Sequence, residues 1–301
     1  NHEDIFEIAN YGVATPDHVI RTKEKPLVLE SFPDFKKDLL SLELLNQWKI
    51  NTKDRLNEYI ENYQEYFETN NNNVGGTKIS LDPLPRFIFI KGLGMITLGK
   101  TLKEAELVGD IAESWSATVL AAKSIGIFSS VSEKEIFDME YWSLEQAKLK
   151  KGKEESHNRN IVLITGGAGT IGSSIASRFT SCGAEVIIVD KDVEQLKITS
   201  KNIGSKCKAI KCDLTDSKEI ENLFLKIIST YGGLDILVLN AGIALQGQMS
   251  TLDSEVLRKS FELNFFSQQA IIKEALNIFK KQDLNYTDNR FLLGSQLIFN
   301  I

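Results

Sequence analysis

The chain has 301 residues, 42% hydrophobic and 25% charged, a balance that buries real cores and leaves room for one large or two ordinary domains. A formal net charge of −6 without a long block of one sign argues against a nucleic-acid surface or a polybasic anchor, while small acidic metabolites remain open. No run approaches the roughly 18 apolar residues of a membrane helix, so no membrane partner is expected, and an odd set of cysteines (Cys182, Cys207, Cys212) without a CxxC pair fits a reducing, cytoplasmic compartment.

Residues 1–10 read as the end of a helix. In Ala14-Thr-Pro-Asp-His-Val-Ile-Arg-Thr-Lys23, Pro16 forbids helix through the turn, and Asp17, His18, Arg21 and Lys23 crowd four ionisable groups together. Such a segment handles an anion or simply meets water; composition favours the solvated turn. From Ser41 to about Thr69, Leu42, Leu45, Trp48, Leu56, Tyr59, Ile60, Tyr63 and Phe67 recur at three- and four-residue spacing, predicting a helix with one buried stripe. Asn70 to Gly76 is predicted as a loop and Arg86 to Ile90 as a strand. Thr101 caps a helix running to about Gly126, with Val108, Ala112, Trp115 and Val119 along one side, and a second helix is predicted from Ser132 to Lys150. The charged run from Lys150 to Glu155 marks the boundary, giving a first region 1–150, a linker 151–159 and a second region 160–301. His2, His18 and His157 are scattered, and no metal is expected.

The second region opens with Ile161-Val-Leu-Ile-Thr-Gly-Gly-Ala-Gly-Thr-Ile-Gly172, a strand that breaks into glycines and then a helix. Thr165-Gly166 allows a tight turn, Gly169 admits a pyrophosphate to the backbone, and Gly172 lets the helix pack on the strand with its N-terminus facing the anion. Glu185 to Asp190 is a second strand ending in an acid that can hold both hydroxyls of an adenosine ribose. A carboxylate there repels a 2′-phosphate and favours NAD over NADP, with Lys191 softening the preference. Helix Val193 to Ile203, strand Lys208 to Cys212, helix Asp216 to Tyr231, strand Leu234 to Leu239, helix Asp253 to Lys281 and a strand from about Gln296 then alternate as a doubly wound parallel sheet requires. Asn264 shares a helix face with Leu257, Phe261, Gln268 and Ile271, which predicts a buried amide in need of partners.

Thr165-Gly166…Gly169…Gly172, Asp190, Cys212-Asp213-Leu214, Asn240-Ala241-Gly242 and Asn264, in that order, resemble the short-chain dehydrogenase/reductase family over residues 160–301. The resemblance implies an α/β fold: a Rossmann doubly wound parallel sheet, C-terminally truncated, preceded by a mostly helical α+β aldolase-associated region. It implies an NAD(P) site made of Thr165, Gly166, Gly169, Thr170, Ile171, Gly172 and Asp190, with Asp213 and Leu214 on the adenine and Asn240, Ala241 and Gly242 closing the cleft. Asn264 would belong to the catalytic Asn-Ser-Tyr-Lys set. Thr170 stands where the compact branch of the family usually has glycine, and Leu239 where it often has a first asparagine. The family's serine and Tyr-x-x-x-Lys pair follow the fifth strand, within which this sequence stops, and the sequence begins at Asn1 without Met. A fragment open at both ends, inactive alone, is therefore expected.

The first region resembles a narrower group, the bifunctional aldolase/short-chain dehydrogenases related to rhamnulose-1-phosphate aldolase/alcohol dehydrogenase, through Thr15 to Lys23, Gly92-Leu-Gly-Met95 and Glu140-Tyr-Trp-Ser-Leu-Glu-Gln-Ala-Lys148. In that group a zinc-dependent class II aldolase domain lies upstream, and its histidine ligands would precede Asn1. The Gly92 to Ala105 segment also looks like the His-Gly segment of a class II aldolase with Leu93 in the ligand position; leucine cannot bind zinc, so such a unit would be structural. The resemblances together imply an NAD(P)-dependent oxidoreductase acting on a small alcohol/carbonyl substrate (a hydroxyaldehyde, polyol or sugar derivative), homo-oligomeric at full length. A dinucleotide-binding module without catalysis, or aldolase activity residing upstream, are the alternatives.

Overall fold

The computed structural model describes residues 5–33, 40–148, 155–244, 250, 253–282 and 296–299. They form two compact units, Asn1–Gly152 and Lys153–Ile301. Among the described residues no helix is long and apolar enough to cross a membrane.

The first unit is built on a three-stranded sheet in the order β1 (Leu27–Leu29), β2 (Phe87–Ile90), β3 (Gly94–Thr97), with β1 parallel and β3 antiparallel to β2. Alternation along the strands sends residues to opposite faces. Leu27, Leu29, Ile88 and Ile90 meet Trp48, Leu56 and Tyr59 of α3 (Leu40–Asn73). Val28, Phe87 and Phe89 meet Val108, Ala112, Trp115 and Val119 of α4 (Leu102–Ile125), the side that periodicity predicted, with Thr101 Oγ1 accepting from Glu104 N as the cap. Three expectations are corrected here. Pro16 does not exclude helix: it takes the first position of a 3-10 turn, Pro16–His18, where its missing N–H costs nothing, and a short helix α2 (Val19–Thr22) follows. The run of asparagines is not a loop from Asn70. Helix α3 continues to Asn73 because Asn70 Nδ2 donates to Tyr66 O and Glu133 Oε1, and Asn71 Oδ1 accepts from Lys78 N. The helix predicted from Ser132 to Lys150 is two, α5 (Glu133–Glu140) and α6 (Ser143–Lys148), separated at Tyr141 and Trp142. The helix α1 (Ile5–Ile8) precedes them all, and strand β1 escaped prediction because three residues are too few to show a period.

The second unit is a five-stranded parallel sheet. Its strands are β4 (Ile161–Thr165), β5 (Glu185–Asp190), β6 (Cys207–Lys211), β7 (Ile236–Leu239) and β8 (Gln296–Phe299), in spatial order β6-β5-β4-β7-β8. Both faces are covered, which is why the strands read as continuous apolar runs. On one face Val162, Ile164, Val186, Ile188, Ile236 and Val238 pack with Ala176 of α7 (Thr170–Ser181) and Leu196 of α8 (Val193–Ile203). On the other, Leu163, Ile187, Val189, Leu237 and Leu239 pack with Leu223, Phe224 and Ile227 of α9 (Ser217–Tyr231) and Ile271, Ala275 and Phe279 of α11 (Ser267–Gln282). The helix predicted from Asp253 to Lys281 is interrupted: α10 (Ser254–Phe261) passes through a π-helical segment, Glu262–Phe266, into α11. Residues 155–160 turn back onto the sheet, with His157 N donating to Cys182 O and Glu185 N to Asn160 O. The three cysteines are free; burial pushes the thiols of Cys207 and Cys212 up, to about 12 and about 11.

Candidate functional site

The sheet reverses its winding between β4 and β7, and the crevice beyond their carboxyl ends is where open parallel sheets take ligands. The predicted residues Thr165, Gly166, Gly172, Asn240 and Ala241 meet there. Thr165, buried at the end of β4, accepts through Oγ1 from the backbone N–H of Asn240 (2.9 Å) and Ala241 (3.0 Å). Asn240 Nδ2 returns two bonds, to Thr165 O (3.0 Å) and Gly166 O (3.1 Å). The ends of β4 and β7 are thereby stitched by four hydrogen bonds. Gly166 has φ +63, and a Cβ there would stand 2.8 Å from Ala241 Cα. A Cβ on Gly172 would lie inside van der Waals contact of Gly166 O and 2.8 Å from Asn240 Nδ2. Gly167, which pattern reading passed over, is as constrained, since a Cβ there would lie 2.5 Å from Ile188 Cβ.

Helix α7 starts at this turn. Gly169 is its N-cap and carries no side chain, and the first intrahelical bond is Ser173 N to Gly169 O at 2.9 Å. The amides of Thr170, Ile171 and Gly172 thus precede the helical ladder and carry the positive end of its dipole, with Thr170 and Ile171 exposed. Asp190 ends β5, half-buried: Oδ2 accepts from Ala168 N in the glycine turn (3.3 Å) and Oδ1 from Lys191 N (2.8 Å) and Asp192 N (3.3 Å). The acid is therefore oriented toward the turn by backbone alone. Asp213 follows β6, and its carboxyl is held below the ordinary range by hydrogen bonds from Thr215 N and Thr215 Oγ1. Leu214 is buried in the core beside Leu223 and Ile220.

After β7 the backbone is held from α11 and the π-helical segment. Asn264 Oδ1 accepts from Ile243 N (2.8 Å) and its Nδ2 donates to Ile243 O (2.7 Å), while Gln268 Nε2 donates to Ala241 O (2.8 Å). A Cβ on Gly242 would lie 3.3 Å from Asn264 Oδ1. The expectation of a buried stripe through Asn264 is corrected: Asn264 is exposed, and so are Leu257 and Phe261, while Ile271 is buried. A π-helical segment inserts one residue into the helical period, so the stripe before it is out of phase with the stripe after it. Gln268, absent from the predicted site, was findable from its place one turn beyond Asn264. Its Oε1 is buried without a hydrogen-bond partner among the described residues.

Residues 1–149 match the family described as aldolase class II, second domain, and residues 160–284 match short chain dehydrogenase. The chain thus joins a class II aldolase second domain and a short-chain dehydrogenase domain in one polypeptide, the arrangement of the bifunctional aldolase/short-chain dehydrogenases. Among curated relatives, an uncharacterized oxidoreductase, YuxG of Bacillus subtilis, is 32% identical over 81% of this chain and 36% of its own length. Galactitol 2-dehydrogenase of Agrobacterium fabrum is 33% identical over 40% of this chain and 47% of its own. The chain thus spans less than half the length of both. A solved structure of a short chain dehydrogenase from Mycobacterium smegmatis is similar over 41% of this chain and 53% of its own, at 29% identity and a TM-score of 0.40.

Proposed function

We propose that the second unit is the cofactor-binding half of an NAD(P)-dependent oxidoreductase acting on a small hydroxyaldehyde, polyol or sugar-derived alcohol/carbonyl pair. The observation that carries this reading is the stitched crevice between β4 and β7: a turn with no room for side chains at Gly166 and Gly172, opening a helix whose first amides are unspent, with an oriented carboxylate beside it. This donor set fits a dinucleotide. The amides of Thr170, Ile171 and Gly172 would hold the pyrophosphate with Gly169 leaving it space, and Asp190 would accept the two ribose hydroxyls. Asp213 and Leu214 would border the adenine, Asp213 through its backbone and carboxyl, the buried Leu214 as the floor beneath. Asn240, Ala241 and Gly242 would form the far wall, with Thr165 fixing it.

The cofactor supplies hydride transfer between its nicotinamide and the substrate carbonyl carbon. The chain's residues orient. Asn264 clamps the Ile243 backbone at the cleft, which keeps the segment after β7 in place where substrate would approach. Residues 160–301 contain no Tyr-x-x-x-Lys to move the proton, so this chain is expected to bind dinucleotide without turning substrate over. The exposed Phe261, Phe265 and Phe266 on α10 and the π-helical segment favour self-association through that face, and the free cysteines favour a reducing compartment such as the cytoplasm.

NAD is preferred over NADP on the strength of Asp190, whose charge opposes a 2′-phosphate. Asp190→Ala should weaken NAD binding by about tenfold to a hundredfold, the worth of hydrogen bonds to a charged acceptor, and relax discrimination against NADP. Calorimetric titration of both cofactors checks this. Unchanged NAD affinity would remove Asp190 from the ribose.

A further inference from the structure

The first unit contains a buried charge that the dehydrogenase reading leaves unused. Lys23 follows α2, is 3% exposed, and has φ 65 and ψ 175, a strained backbone region nearly reserved for glycine. Its Nζ donates to Glu140 Oε1 at 3.3 Å and lies 3.7 Å from the centroid of the Tyr63 ring. Glu140 is buried too, and accepts the hydroxyls of Tyr63 on Oε1 (2.9 Å) and Tyr66 on Oε2 (3.1 Å). An ammonium has three donors. One meets the carboxylate, one faces the ring, and the third has no partner among the described residues.

These groups border a cavity of about 560 Å³ between the Lys23 to Val28 segment and the Arg55, Tyr59, Asn62 and Tyr66 positions of α3. Its charges are already matched: Lys25 pairs with Glu24, Arg55 with Glu58 and Lys23 with Glu140, while Glu133 accepts from Asn70. Among the described residues that line it, no surplus cation is left for a phosphate or carboxylate. Carboxylates, phenols and amides around one under-satisfied amine suit a neutral molecule rich in hydroxyls. A buried ion pair kept only for structure gains little stability, and gains nothing from a strained backbone or an adjoining cavity.

We propose that this cavity captures a small neutral hydroxyaldehyde or hydroxyketone and that Lys23 forms an imine with its carbonyl carbon. The Lys23 ammonium first releases a proton to solvent. The amine lone pair then forms the C–N bond as the carbonyl π pair moves to oxygen, which takes up a proton. The nitrogen loses its two remaining protons, one in reaching the carbinolamine and one as the C=N bond forms, and the oxygen departs as water after a second protonation. Amine and carbonyl give imine and water, with no oxidant or reductant. Glu140, which accepts from the amine on Oε1 and from Tyr66 on Oε2, is the group placed to relay protons at the amine. The charge balance around Lys23 supports the step: burial pushes its ammonium down to about 8, with Arg86 in the same sense and Glu140 and Asp82 opposing, so neutral amine is available near that pH.

The test is reductive trapping on the intact 301-residue chain with glycolaldehyde and sodium cyanoborohydride at pH 8, followed by peptide mapping. Lys23 should be modified at least tenfold faster than Lys197, which is 66% exposed, with a rate that saturates in glycolaldehyde and falls in Tyr66→Phe. Modification of Lys23 only after unfolding in urea, or no faster than Lys197, would make it a structural ion pair and overturn the proposal. A fast rate strictly linear in glycolaldehyde would mark a reactive amine without a binding site and overturn it equally.

Discussion

Single atoms decide the geometry of both candidate sites. At Gly172 a methyl group would sit 2.8 Å from Asn240 Nδ2 and 2.9 Å from Gly167 Cα, so Gly172→Ala must push β4 and β7 apart or tilt α7. The expected cost is about 1–3 kcal/mol, read as a lower urea midpoint at unchanged slope. In the first unit Lys23 gives a pH signature. Its folded value near 8 lies below the 10.5 of a free lysine, so between these values the unfolded chain binds the proton that the folded chain has lost, and stability rises with pH across that window. Tyr63 and Tyr66 are shifted the other way, their hydroxyls held protonated by burial first and then by the Glu140 carboxylate. Above the 10.0 of a free tyrosine the unfolded chain therefore loses its protons first and stability falls. The raised thiols of Cys207 and Cys212 add a falling contribution above the free value of 9.0, so the test is a comparison: in thermal unfolding between pH 7 and 11, Lys23→Met should lose the rising contribution that the parent chain shows. The close packing at Gly166 and Gly172 and the place of Asp190 at a strand end were legible in the sequence because a strand that breaks into glycines before a helix writes a local pattern. The Lys23–Glu140 pair was not: its members stand 117 positions apart, and the solvated turn that composition favoured fails for Lys23.

At the scale of elements, periodicity located α3, α4 and α9 and misjudged where period alone stops being informative. Asparagine has poor helix propensity, yet buried hydrogen bonds to Tyr66, Glu133 and Lys78 carry α3 through Asn71 to the turn at Gly75 and Gly76. The π-helical segment, invisible to a 3.6-residue template, rotates Asn264 out of the core and onto the Ile243 backbone. Asn264→Ala removes both of those bonds and should cost about 1 kcal/mol, measured by denaturant unfolding. Start signals were more reliable. At α5 Ser132 and Glu135 form a reciprocal capping box, each side chain accepting from the other's backbone N–H. Ser132→Ala should lower stability by about 1 kcal/mol and, because α5 carries Glu140, should also shift the trapping rate of Lys23.

For the whole molecule, alternation of apolar strands and amphipathic helices sufficed to read the second unit, since a parallel sheet covered on both faces admits few arrangements. The first unit was less legible: its sheet is three short strands, one of them paired across 61 positions, Leu27 with Ile88, and its helices carry most of the pattern. The two units meet the two family descriptions one to one, and the sites argued for them are chemically separate, one presenting backbone amides at the start of α7, the other surrounding an amine with carboxylate and phenols. The most direct measurement is isothermal titration of NADH and NADPH into the 301-residue chain, with folding verified by circular dichroism. Saturable one-to-one binding of NADH, weaker binding of NADPH, and loss of both in Gly172→Ala are expected; a well-folded chain that takes up neither nucleotide would contradict the assignment of the β4–β7 crevice as a dinucleotide site.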